Sequence, residues 1–170
     1  MTQLEKVYEY LVSNYSENEP IFLSDISIAG MKDVSVRQQL KKLTEEGRIR
    51  RYDSGIYFIP KKTMFKSGST LSVDEIIRKK YLIDGETQCG YLCGLTFANK
   101  LGLTTQVPMV YEVCSNKATT DYRDMRIGKF RVILRRPYVE ITDQNVNELQ
   151  FLDLIREVNE ISEVEGTELT

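Results

Sequence analysis

The sequence predicts an α+β protein built from two small domains, and three observations carry that prediction. Within the first 62 residues, apolar residues recur at helical spacing and then give way to two short strand-like runs joined by a glycine turn. From residue 83 onward come further strand-like runs and a long amphipathic helix, after a stretch of low apolar content. The 170 residues, 41% hydrophobic and 28% charged, suit one ordinary domain or two small ones and are too balanced for a disordered or fibrous chain.

Thr2 followed by Glu5 is a capping box, and Leu4, Val7, Tyr8 and Leu11 repeat at helical spacing before a polar exit over residues 13–20 that ends at Pro20. Residues 21–23 are a short extended piece. Ser24 caps a brief helix through Ile28, ended by Gly30, and Asp33 or Ser35 caps a third helix that buries Val36, Leu40 and Leu43 and stops at Gly47. Residues 49–52 and 56–59, joined by Asp53, Ser54 and Gly55, predict a β-hairpin. The order of helix, short strand, helix, turn, helix and hairpin is the layout of a winged helix-turn-helix over residues 1–62.

Residues 63–82 read as a linker and a connecting helix, the linker covering 61–70 and the helix starting at the capping box Ser72/Glu75 and running to about Tyr81. A small α+β domain with an acidic tail then occupies residues 83–170. In it, residues 90–101 predict a helix closed by Gly102, with 104–108 as its exit loop; 109–114 and 129–135 predict strands, and 138–141 a third. Thr142 or Asp143 caps a last helix carrying Phe151, Leu154, Ile155 and Val158, widened by Leu149 and Leu152 into a face that calls for a sheet or a partner. The acidic residues after Ile161 predict a frayed tail.

Composition excludes several chemistries. The chain has no histidine, which removes serine–histidine and cysteine–histidine nucleophiles and the usual zinc-enzyme sites. Cys89, Cys93 and Cys114 are odd in number and fit no zinc module, so they read as buried or reduced thiols. No apolar run approaches the roughly 18 residues that span a bilayer, and Glu5 and Glu9 stand where a signal peptide needs an apolar core, so a cytoplasmic protein is expected. Net charge is only -2, but residues 32–62 hold nine bases and four acids, 63–136 twelve and seven, and 137–170 one and nine. A basic middle followed by an acidic end favours a polyanion or an acidic partner on one surface.

That basic segment coincides with the elements that would touch DNA. In a helix-turn-helix the second helix of the pair enters the major groove, its early exposed side chains meeting base edges. Ser35, Arg37, Gln38 and Gln39 are the candidates for base readout, since arginine pairs bidentately with guanine and glutamine with adenine. Lys32, Lys41 and Lys42, with Arg48, Arg50, Arg51 and Tyr52 of the hairpin and Lys61 and Lys62 at its exit, are candidates for the phosphate backbone. The alternative is a solvated helix face, or a winged helix used for protein contacts.

Val36, Leu40, Leu43, Gly47 and the wing Gly55-Ile56-Tyr57, together with the run Gly94-Leu95-Thr96-Phe97-Ala98-Asn99-Lys100-Leu101-Gly102-Leu103-Thr104-Thr105-Gln106-Val107-Pro108, resemble the AbiEi-type antitoxins of bacterial type IV toxin–antitoxin systems, over most of the chain to about Val158. The resemblance implies a bifunctional bacterial protein. Its N-terminal domain would repress its own operon at inverted repeats in the promoter. Its C-terminal domain would counter a nucleotidyltransferase-like toxin encoded next door, without a stable complex.

In the second half, Arg123, Arg126, Lys129, Arg131 and Arg135, with Arg136 beside them, form a cationic stripe in sequence. It could extend a DNA footprint, meet an acidic or RNA-bearing partner, or pair with the acidic C-terminal helix of its own chain. Thr104, Thr105 and Gln106 read either as a contact surface or as a polar helix exit. A DNA-directed nuclease is the rival class, but Glu112 and Asp124 are followed two residues on by Cys114 and Arg126 where an acid-x-lysine motif needs another pattern, and no glycine-rich phosphate loop is present. A ligand-responsive repressor is the other alternative. The reading is thus of a non-enzymatic binding protein with no cofactor and no metal.

Overall fold

A computed structural model describes residues 1–64 and 68–161, the last four of these by backbone alone. The expected frayed tail and the side chain of Val158 therefore lie outside the described residues. The chain is α+β and divides into two compact units, Met1–Ile76 and Ile77–Thr170.

The first unit starts with α1 (Gln3–Asn14), where the Thr2 hydroxyl accepts the Glu5 amide at 3.2 Å as the capping box requires. Its Val7 and Leu11 are buried with Ile21, Ile26, Ile28, Ile49, Ile59 and the inner face of α2 (Asp33–Glu45) in one apolar cluster. Between the helices run β1 (Ile21–Phe22) and a single 3-10 turn, Leu23–Asp25. The brief helix expected to Ile28 is thus shortened to that turn: the Ser24 hydroxyl bonds Asp25 rather than capping a helix, while Ile26 and Ile28 are buried in extended chain. Helix α2 begins directly after Lys32 with no side-chain cap, so neither Asp33 nor Ser35 caps it. The hairpin β2 (Arg50–Asp53) and β3 (Ile56–Phe58) turns at Gly55, whose φ of +73° suits glycine, and β1 pairs on the far side of β3 to give the order β1-β3-β2.

Lys61 and Ser69, near the two ends of the expected linker, are tied to this unit. The Lys61 amide donates to the Ser69 hydroxyl at 2.9 Å, and Arg50 donates to the Ser69 carbonyl at 3.2 Å. A helix α3 (Val73–Ile77) follows and passes into one π-helical turn, Arg78–Leu82.

The second unit is a four-stranded sheet, β6 (Gly90–Cys93), β7 (Val110–Ser115), β8 (Tyr122–Ile127) and β9 (Phe130–Arg135), in the order β6-β7-β9-β8. Strand β9 lies parallel to β7 and antiparallel to β8, so it is inserted between two strands that precede it. A two-stranded ribbon, β4 (Ile83–Asp84) and β5 (Thr87–Gln88), stands before the sheet. Two helices, α4 (Gly94–Lys100) and α5 (Val146–Ile161), pack on it and on each other.

Three expectations change here. Residues 90–93 are a strand, and the helix begins only at Gly94, where a φ of +60° makes the corner. Residues 138–141 are not a strand; Asn116 instead bonds both the amide and the carbonyl of Ile141 through its side chain. Helix α5 starts at Val146, with Thr142 accepting the Val146 amide through its carbonyl.

Gly90 is fixed by space. A Cβ there would stand well inside contact distance of the Tyr81 carbonyl and 2.9 Å from that of Cys114, both backbone groups that cannot turn away. Gly90→Ala is therefore expected to destabilise the second unit by about 1–3 kcal/mol, the range for overpacking. Urea unfolding of the wild type and of Gly90→Ala measures it.

Candidate nucleic-acid interface

Helix α2 buries Val36, Gln39, Leu40 and Leu43. Gln39 is only 7% exposed, which removes it from base readout: it lies three residues after Val36 and four before Leu43, on the core stripe. Arg37 and Gln38 are exposed, Ser35 is half-buried, and Lys41 and Lys42 continue the outward face one turn later. Lys41 reaches Glu45 at 3.9 Å with both side chains in solvent, an interaction worth little. The side chains of Lys32, Arg37, Gln38, Lys42, Lys61 and Lys62 make no hydrogen bond or ion pair among the described residues. Arg37 also lines a hollow of about 310 Å³ with Leu23, Ser24, Ile26, Asp33 and Val36.

The hairpin arginines divide. Arg48 is not a free phosphate ligand: it forks onto both oxygens of Glu5, at 2.8 and 3.0 Å, and its guanidinium lies 3.7 Å from the centre of the Tyr8 ring. Arg50 holds the Ser69 carbonyl and lies against Gly68, so it too is engaged by its own unit. Arg51 is exposed and bonds the nearby Asp53 carbonyl at 3.2 Å, which keeps it at the turn of the hairpin. Tyr52 is half-buried, and burial pushes its hydroxyl above the usual range. The outward set of this unit is therefore Lys32, Ser35, Arg37, Gln38, Lys41, Lys42, Arg51, Lys61 and Lys62.

The cationic stripe of the second unit is not one surface. Arg126 pairs with Arg131 in the β8–β9 register and Arg123 with Leu134, so Arg123 and Arg126 point to opposite faces of the sheet. Arg131 forks onto Asp124, its Nε 2.9 Å from Oδ2. Arg135 is half-buried, its guanidinium 3.1 Å from Cys93 Sγ, 3.5 Å from Glu157 and 4.0 Å from Asp153, with a buried Nε that has no acceptor among the described residues. For Arg135 the pairing is with the acidic C-terminal helix of its own chain, and it presents no partner surface. Arg123, Arg126 and Lys129 are exposed, and Arg136 reaches the Thr119 carbonyl and Asp121.

Asp153 is a buried carboxylate of the second unit that sequence reasoning missed. It is 9% exposed and takes the Tyr91 hydroxyl at 2.7 Å and Arg156 at 2.9 Å. Tyr91 lies 62 residues away, a distance no local pattern spans. All three cysteines are buried and free, and burial raises their thiols, Cys93 to about 12 although Arg135 pulls it down. Glu112, Asp121 and Asp124 do not converge: among the described residues no three acidic or cysteine side chains gather as metal ligands. Thr104 is buried and structural, while Thr105 and Gln106 are exposed. Among the described residues, no helix is long and apolar enough to cross a membrane.

A family model described as a family of unknown function, DUF6088, matches residues 12–146, which include α2, the hairpin and the whole sheet of the second unit. No curated protein and no solved structure matches the chain.

The Arg48 pair has a pH consequence. The hydrogen bond from Arg48 holds the Glu5 carboxyl below its ordinary 4.5, so the folded state favours the ionised form. That stabilisation is complete above about 4.5 and is lost as pH falls through the lower folded value. Thermal unfolding followed from neutral pH to about pH 3 should show wild type above Glu5→Gln near neutrality and the gap closing in acid. A gap that persists unchanged in acid would refute the pairing.

Proposed function

We propose that this chain, which belongs to the DUF6088 family, is a DNA-binding transcriptional regulator whose first unit works as a winged helix-turn-helix. The observation that carries this reading is the outward face of α2. Arg37 stands over Lys41 and Gln38 over Lys42, each pair four residues apart, so two base-reading side chains precede two phosphate-binding ones on a helix whose other side is sealed in the core. Arg51 at the hairpin turn and Lys61 and Lys62 at its exit add backbone contacts.

The resemblance to AbiEi-type antitoxins extends the proposal. The DNA would be inverted repeats of the chain's own promoter. The protein would act in the cytoplasm as the autorepressing antitoxin of a type IV operon, its second unit countering a nucleotidyltransferase-like toxin without a stable complex. A second reading, a ligand-responsive repressor, is favoured by a cleft of about 580 Å³ in the second unit, between Tyr91, Arg135 and Asp153 below and Tyr138, Leu152 and Arg156 at its rim. Its volume falls in the range of small-molecule sites.

Fluorescence anisotropy against the DNA upstream of the gene and a shuffled control, at low and physiological salt, tests the reading. Preference for the native fragment should survive physiological salt. Arg37→Ala should lose about 1–3 kcal/mol of that preference, whereas Lys42→Ala should weaken both DNAs alike and flatten the salt dependence by about one unit of slope. Equal binding to both fragments, abolished by salt, would refute it.

A further inference from the structure

Helix α5 has a second apolar face that the described residues of its unit do not cover. Its inner side is accounted for: Leu154 and Asp153 are buried, Leu149 is packed beside Tyr91 and Cys93, and Gln150 donates to the Leu92 carbonyl at 2.8 Å. On the outer side Phe151, Leu152 and Ile155 are 58%, 59% and 51% exposed. They are neighbours on one helical face, and a contiguous apolar patch rimmed by charged residues is the usual form of an interaction surface. Glu148 and Arg156 flank them, both exposed.

The order of these charges identifies the occupant. Glu148 and Arg156 stand four residues before and four residues after Leu152 and carry opposite signs. Two copies of α5 laid antiparallel about a two-fold axis at Leu152 place Glu148 of each against Arg156 of the other, twice, with Phe151, Leu152 and Ile155 of both between. An isologous interface demands this self-complementarity. A uniformly acidic or basic partner would be attracted at one end of the face and repelled at the other. Arg156 already holds Asp153 at 2.9 Å, yet its side chain is 58% exposed and a guanidinium has donors left for a second carboxylate.

We propose that α5 is a dimerisation helix and that its partner is a second copy of this chain, paired antiparallel across Leu152. The proposal stands apart from DNA binding, since it is read from the second unit alone and is tested without DNA.

Sedimentation velocity of the full chain, from about 1 to 100 μM, tests it at affinities usual for a small interface. A reversible monomer–dimer equilibrium is expected. Ile155→Glu, at an exposed position that leaves the melting transition in place, should be monomeric throughout. Glu148→Arg and Arg156→Glu should each weaken self-association by about ten-fold, and an equimolar mixture of the two should regain it as a heterodimer, because opposite charges then meet at both ends. Should Arg156→Glu fail to fold beside Asp153, Phe151→Ser and Glu148→Arg, each weakening the dimer, carry the test. A monomer across the whole range, a dimer indifferent to these substitutions, or folded single variants that do not associate on mixing would overturn the proposal.

Discussion

Arg48 lies between the carboxylate of Glu5 and the ring of Tyr8, and this clamp joins the first turns of α1 to the chain just past α2. Gly47, at φ +72°, makes the reversal that brings Arg48 there, and the Arg48 and Ile49 amides close the end of α2 on the Leu43 carbonyl. With that end of α2 fixed against the start of α1, Val36, Gln39, Leu40 and Leu43 face the core. The outward direction of Arg37, Gln38, Lys41 and Lys42 follows. Losing the clamp would therefore act on the outward face of α2 through its orientation.

The basic middle of the sequence is thus divided by function. Arg48, Arg50, Arg131, Arg135 and Arg136 are committed to carboxylates and carbonyls of their own units. The lysines of α2 and of the hairpin exit, with Arg37 and Arg51, remain outward. The partition follows from side-chain chemistry: a planar guanidinium satisfies a forked or stacked internal site better than an ammonium does, while lysine keeps its charge in water on a flexible stem. The residual field of the first unit is consequently smaller than its count of bases suggests, and it is concentrated on one helix face and one hairpin.

Much of the first unit is legible in the sequence. The spacing of Val7 and Leu11, the Thr2 cap and the Gly55 turn each depend on neighbours within a few residues. Gln39 is the exception: its amide suggested base readout, whereas its place three residues after Val36 and four before Leu43 puts it on the core stripe. The second unit is harder to read, for physical reasons. Gly90–Cys93 is four residues long and covered on both faces, so it shows no alternation to separate a strand from a helix. Strand β8 is polar at Tyr122, Arg123, Asp124 and Arg126, being held at the sheet edge by its backbone pairing to β9 rather than by an apolar face. The Tyr91–Asp153 bond and the place of Arg135 beneath α5 join residues far apart in sequence. The outer face of α5 was visible only as a stripe too wide for one contact, and its exposure follows from the packing of the inner side.

The most direct test of the proposal that α2 presents the DNA-reading surface while Arg48 and Arg50 of the basic segment are held by partners in their own unit is an NMR titration of the nitrogen-labelled chain with duplex DNA from upstream of its gene. Side-chain and amide shifts are expected at Arg37, Gln38, Lys41 and Lys42 and at Arg51 of the hairpin, with the Arg48 guanidinium and the Gln39 amide group unmoved. Shifts confined to Arg123, Arg126 and Lys129, or perturbation of Arg48 equal to that of Arg37, would contradict it.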